Sequence, residues 1–207
     1  MPLRPEGTQG YGENAGKLVA DYESLRFEDV QREVLHLFPL PPARVLDVGA
    51  GTGRDAASLS RIGHRVVAVE PTPELRAAGE RLRSGLSVTW VDDALPELAR
   101  VAAPEGGFDL ILLTAVWMHL DAGARGTAMA RLAELVAASG LITISLRHGP
   151  VPPGRRMFDV TGAETAVLAG RHGLRRVHES MREDMRARRD ISWTYLALAG
   201  PRWTPPR

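Results

Sequence analysis

Apolar positions along the chain change their spacing several times, and each change marks a predicted element. From Lys17 to Phe38, the positions Leu18, Val19, Tyr22, Leu25, Val30, Val34, Leu35 and Phe38 recur at mostly helical spacing, which predicts a helical region. Pro39, Pro41 and Pro42 stop it. Short apolar runs then read as buried strands: Arg44–Val48, Arg65–Val69, Ser87–Val91, Leu110–Leu113 and Leu141–Leu146. Amphipathic stretches lie between them: Arg54–Ile62, Glu74–Leu82, a short Pro96–Val101, and Asp121–Ala138. The last has Met129, Leu132, Leu135 and Val136 on one face and Gly140 beyond its end. A Pro/Gly loop at Gly149–Gly154, a helix near Ala163–Arg171 and two more strands, Leu174–Glu179 and Trp193–Leu198, complete the pattern.

Strands alternating with helices at this length imply a parallel sheet of about seven strands, covered on both faces and wound with right-handed crossovers. The expected organisation is an N-terminal helical cap over residues 1–42, one α/β domain over 43–200 and a proline-rich flexible tail over 201–207. Pro2, Pro5, Gly7, Gly10, Gly12 and Gly16 predict a mobile or loosely docked entry.

Composition narrows the chemistry. The chain has 207 residues, 44% hydrophobic and 25% charged, with a formal net charge of +1, so neither disorder nor a polyanion-coating protein is indicated. Cysteine is absent, which excludes thiolate nucleophiles and cysteine-ligated zinc. The six histidines form no close-spaced ligand pair on one helix, so no metal is expected. No apolar run approaches the ~18 residues of a membrane span, and Met1 to Gly16 lacks a signal-peptide pattern, so a cytoplasmic chain is expected. Lys17 is the sole lysine, and the arginines from Arg171 to Arg189 alternate with acids as on a solvated face.

The sharpest motif is Asp47-Val48-Gly49-Ala50-Gly51-Thr52-Gly53-Arg54, where a strand turns into a helix. Glycines there allow a tight turn and close approach of a ligand. A dinucleotide fingerprint would need glycine at position 54, where Arg54 stands, and Asp47 is poorly matched to a pyrophosphate. A carboxylate suits a cationic ligand such as S-adenosylmethionine (SAM), which carries an ammonium and a sulfonium. Glu70, ending the second strand, is placed to accept from both ribose hydroxyls of a nucleoside, and Asp92 or Asp93, ending the third, to accept from an adenine amino group. Asp55 at a helix start reads as a favourable macrodipole charge.

Over roughly residues 40–200 the chain resembles the class I SAM-dependent methyltransferases, in particular the small stand-alone bacterial members. Asp47, Gly49, Gly51 and Gly53 match that family's first motif, Glu70 its ribose-binding acid, and Asp92/Asp93 its adenine-side acid. Phe108–Leu113 and Leu141–Leu146 match its fourth and fifth strands. The resemblance implies a Rossmann-like doubly wound sheet of order 3-2-1-4-5-7-6 with strand 7 antiparallel. It also implies S-adenosylhomocysteine (SAH) as product, and adds Ala50, Pro71, Thr114 and Ala115 to the cofactor contacts.

The acceptor is expected above the ends of strands 4 and 5, where His119 and His148 are the candidate bases. Each also has a structural reading: His119 as a cap or shield, His148 as a hydrogen-bonding residue beside Arg147. Trp117 reads as a pocket wall, and Tyr11 and Tyr22 could close over the cofactor. Arg147, Arg155 and Arg156 flank the Gly/Pro loop and suit an anionic acceptor, with solvated loop charges as the alternative. The Asn/Asp-Pro-Pro-Tyr box of amino-methylating nucleic-acid enzymes is absent, so nucleic acid is not the expected partner. The expected function is methyl transfer to O, N or S of a small, anionic molecule by a monomer or homodimer. The alternatives are a non-catalytic SAM-binding regulatory module and a methyltransferase acting on RNA or protein; an NAD-type oxidoreductase is disfavoured by Asp47 and Arg54.

Overall fold

A computed structural model describes residues 6–206; Pro2 and Pro5 of the expected entry lie outside the described residues. Seven strands form one sheet of order β3-β2-β1-β4-β5-β7-β6. They are β1 (Arg44–Val48), β2 (Arg65–Val69), β3 (Val88–Val91), β4 (Phe108–Thr114), β5 (Val136–His148), β6 (Arg175–Glu183) and β7 (Ser192–Ala199). The first five pair in parallel, whereas β7 runs antiparallel to both β5 and β6, as expected.

Alternation along β1 and β4 divides the core in two. Leu46, Val48, Ile111 and Leu113 face one side, where Met129 and Leu132 of α5 (Ala122–Leu135) cover them. Val45, Leu110 and Leu112 face the other, against Ala56 and Leu59 of α3 (Arg54–Arg61). The strand order reverses between β1 and β4, so the crevice beyond their carboxyl ends is where a doubly wound sheet binds ligands. No helix among the described residues is long and apolar enough to cross a membrane.

Three expectations need correction, and one is refined. The helical region Lys17–Phe38 comes in three pieces: α1 (Ala15–Glu23), α2 (Phe27–Gln31) and a 3₁₀ turn at Leu35–Leu37. Arg26 is extended at the break, which lets α2 bury Phe27, Val30 and Gln31 while α1 buries none. Pro96–Val101 forms turns rather than a helix. Its apolar spacing serves the core directly, with Leu95, Leu98 and Val101 all buried and Leu98 at φ 44°. Helix α5 ends at Leu135 and the chain runs straight into β5, so Val136 pairs with Phe108 and Gly140 lies inside the strand. Trp203 within the tail is docked: it is buried in the second core, and Arg175 donates to its carbonyl at 2.9 Å.

Candidate active site

A cavity of about 600 Å³ opens beyond the carboxyl ends of β1, β2, β4 and β5, roofed by the segment from Gly7 to Leu25. Its floor is the turn after β1. Gly49 and Ala50 donate their N–H groups to the Val69 carbonyl, strapping the turn to β2. Gly49 and Gly51 have φ of 69° and 59°, which favours glycine, and a Cβ on Gly51 would lie 3.1 Å from the Tyr22 ring. Gly53, expected among the cofactor contacts, instead backs onto the Trp90 ring, 2.8 Å from where a Cβ would stand, and does not line the cavity.

Three carboxylates serve this end. Glu70, 5% exposed, accepts the Gly51 N–H on one oxygen and the Thr72 N–H on the other, both at 2.8 Å. Burial raises its pKa, and those two donors and Arg76 oppose the rise. Asp47 is buried beneath the turn with its Oδ2 accepting from Ala56 N–H at 3.2 Å; burial and the neighbouring Asp55 push it up to about 8. Asp55 does more than complement a helix dipole. It accepts from Gln31 Nε2 at 2.7 Å and Thr114 Oγ1 at 3.0 Å and pairs with Arg54 at 2.7 Å. Gln31 was not singled out in the sequence, although an amide on the otherwise apolar face of a short helix was a signal.

Alternation past β3 separates the two acids: Asp93 lines the cavity, while Asp92 turns out to Arg76 at 3.0 Å. Asp93 accepts from the Ala94 and Arg100 N–H groups. Pro71, Thr114 and Ala115 line the cavity. Ala115 holds φ at 59°, a conformation unusual for a residue with a side chain, and donates its N–H to Ser145 Oγ at 2.8 Å.

Beyond Ala115 a 3₁₀ turn at Trp117–His119 sends successive side chains in different directions. Trp117, expected to wall the acceptor pocket, is fully buried in the first core, and its Nε1 has no hydrogen-bond partner among the described residues. His119 faces the cavity. Its Nδ1 lies 2.8 Å from the Arg156 carbonyl, which can only accept, so Nδ1 carries the hydrogen. The lone pair is then on Nε2, which accepts from the Tyr11 hydroxyl at 2.9 Å. Burial lowers the His119 pKa; the bond to Arg156 opposes this and the charge of Arg155 adds to it.

His148 does not join His119. Arg147 lines the cavity, and the next residue on the strand points to the opposite face, where His148 meets Thr194 Oγ1 at 2.8 Å and Asp159 at 3.2 Å. Its structural reading is the one the geometry fits. Tyr22 and Arg155 line the cavity, and the Arg155 guanidinium stacks 3.4 Å from the Tyr11 ring centroid. Tyr11 is the residue the sequence left least defined, because its partners lie far away in the chain.

Residues 45–140 match the model of a methyltransferase domain. An uncharacterized methyltransferase of Mycobacterium tuberculosis is 34% identical over a stretch covering 46% of this chain and 50% of that protein. A ubiquinone biosynthesis O-methyltransferase of Xanthomonas euvesicatoria is 35% identical, covering 60% and 51% respectively. The chain thus spans about half the length of the curated relatives it matches. The 1,6-didemethyltoxoflavin-N1-methyltransferase of Burkholderia thailandensis, solved with 1,6-didemethyltoxoflavin and SAH, superposes with a TM-score of 0.62 at 26% identity, over 90% of this chain and 86% of that one. Sheet order, glycine turn and sequence matches converge on the class I SAM-dependent methyltransferases, to which the chain is similar through the methyltransferase domain of residues 45–140.

Proposed function

We propose that this chain binds SAM across Gly49–Gly51, Glu70 and Asp93 and transfers its methyl group to O, N or S of a small molecule, leaving SAH. The observation that carries the reading is one cavity holding both a glycine cradle with acids beneath it and the His119–Tyr11 pair. The cradle fits the group: side chains at 49 and 51 would crowd Val116 and Tyr22 on its walls, and buried carboxylates match a ligand with cationic centres and no phosphate. A cavity of about 600 Å³ beneath a roof suits a small acceptor.

When bound, SAM supplies an activated methyl on a good leaving group, so the protein's tasks are orientation, exclusion of water and a path for the acceptor's proton. Glu70 would hold the ribose and Asp47 the ammonium side. At the other end the Tyr11 oxygen takes the acceptor's proton while its own hydrogen passes to His119 Nε2, whose tautomer leaves that nitrogen free to receive it.

Calorimetry with SAH tests the cofactor half. Glu70→Ala is expected to weaken SAH by roughly 1–3 kcal/mol, the range for losing a charged hydrogen-bonding group. Undiminished affinity would remove the ribose assignment.

A further inference from the structure

Arginines ring this cavity, and most have their charge or donors matched. Arg54 meets Asp55, Arg188 meets Asp184, and Arg186 meets Asp21. Arg182 spends its Nη groups on the Asp29 and Val30 carbonyls and the Tyr195 hydroxyl. Arg155 differs from the ion-paired arginines: among the described residues its guanidinium has no carboxylate, and its Nη1, like the Nε of Arg182, is buried without a hydrogen-bond partner.

The side chain is nevertheless held in place. Tyr11 occupies one face of the guanidinium, and the Tyr11 hydroxyl is in turn fixed by His119. Stacking uses the face of the cation and leaves the N–H donors, which lie in its plane, available to a bidentate acceptor. A buried cationic donor left unmade is costly, so the arrangement is complete only with an oxyanion in the cavity. The effect of Arg155 in drawing down the pKa values of Tyr11, Tyr22 and His119 agrees with a guanidinium close to all three. The carboxylates Asp47 and Glu70 lie at the glycine turn and repel an anion from that end. The acceptor end is where an anion is welcome.

We infer that Arg155 anchors a carboxylate or phosphate group of the methyl acceptor, so that the substrate class is small organic oxyanions held with the nucleophilic atom beside Tyr11. The inference rests on the methyl-transfer reading above and adds the charge of the substrate and the residue that selects it.

The test uses the full chain saturated with SAH and titrated with benzoate and phenyl phosphate, with phenol as the uncharged control. At least one anion is expected to bind more tightly than phenol. Arg155→Gln should weaken that anion roughly tenfold or more, with SAH affinity unchanged and Arg155→Lys intermediate. Anions that bind no better than phenol, or equally well to the Gln variant, overturn the inference alone. A Gln variant that loses SAH affinity but keeps that for 5′-methylthioadenosine, which has no carboxylate, shows that the oxyanion is the cofactor's and also overturns it. A wild-type chain that does not bind SAH overturns the methyl-transfer reading, and this one with it.

Discussion

At the residue scale the decisive contact joins Tyr11 and His119, 108 positions apart. If the two act as one proton path, removing either should cost about 10²–10⁴-fold in kcat on an acceptor found by SAM-consumption screening. The Tyr11→Phe/His119→Ala double variant should then fall little below the worse single, since members of one unit are not additive. Burial holds His119 below its ordinary value of 6.5, so it is neutral at pH 7, and kcat should decline only as pH drops below 6.5 and the ring gains its proton. A pair that merely latches the N-terminal segment would instead raise KM and leave kcat intact. His119 was legible in the sequence because it follows a strand end at the ligand edge. Its role was not, because the tautomer depends on Arg156 and Tyr11, neither of them near it in the chain. Trp117 and His148 carried the same positional signal and point elsewhere, since a 3₁₀ turn and a strand pleat decide direction residue by residue.

Elements lock together through small residues. Trp90 on β3 lays its ring against Gly53 at the start of α3 and against Gly79 inside α4 (Pro73–Leu82), and a Cβ on either would collide with it. Glycine within a helix ordinarily costs about 1 kcal/mol relative to alanine. Gly79→Ala should nonetheless lower the melting temperature, because displacing a large ring that tethers β3 outweighs that gain. The clash is specific, so Gly79→Ala should cost much less in a Trp90→Leu background, a coupling that a double-mutant cycle of denaturation midpoints reads directly. A stabilising Gly79→Ala in the wild-type background would mean that the indole swings aside freely. Strands β1 and β2 and helices α3 and α4 were legible to within a residue or so, because short apolar runs and amphipathic faces carry their own boundaries. The N-terminal region was not, because its apolar residues serve two different surfaces: Leu18, Tyr22 and Leu25 line the cavity, whereas Phe27 and Phe38 enter the second core. The run from α5 into β5 was hidden for a related reason. Val136 continues the helical spacing yet is held by its pairing with Phe108.

Across the whole molecule, folding places an acid where an empty chain is penalised for ionising it. Asp47 leaves the unfolded chain's ordinary carboxylate range, about 3.9, and reaches about 8 in the fold, through burial first and the neighbouring Asp55 second. Between those values the native state binds more protons than the unfolded state, so stability falls as pH rises, beginning near pH 4 and levelling off above about pH 8. Glu70 shifts in the same direction and adds to the slope in any variant that retains it. Asp47→Asn keeps the shape of the protonated acid without its ionisation. Denaturant titrations of the ligand-free chain from pH 5 to pH 8 should therefore show a steep loss in the wild type and a flatter line in the variant, which becomes the more stable of the two at pH 8. Binding should move the opposite way: at pH 8 the variant lacks the carboxylate that meets the ammonium of SAH and should bind it more weakly. Stability gained and affinity lost through one substitution is the mark of a charge kept for a ligand rather than for the fold. Parallel stability curves, or an unchanged SAH affinity, would show that Asp47 is ionised at no cost and that the cationic end of the ligand is met elsewhere.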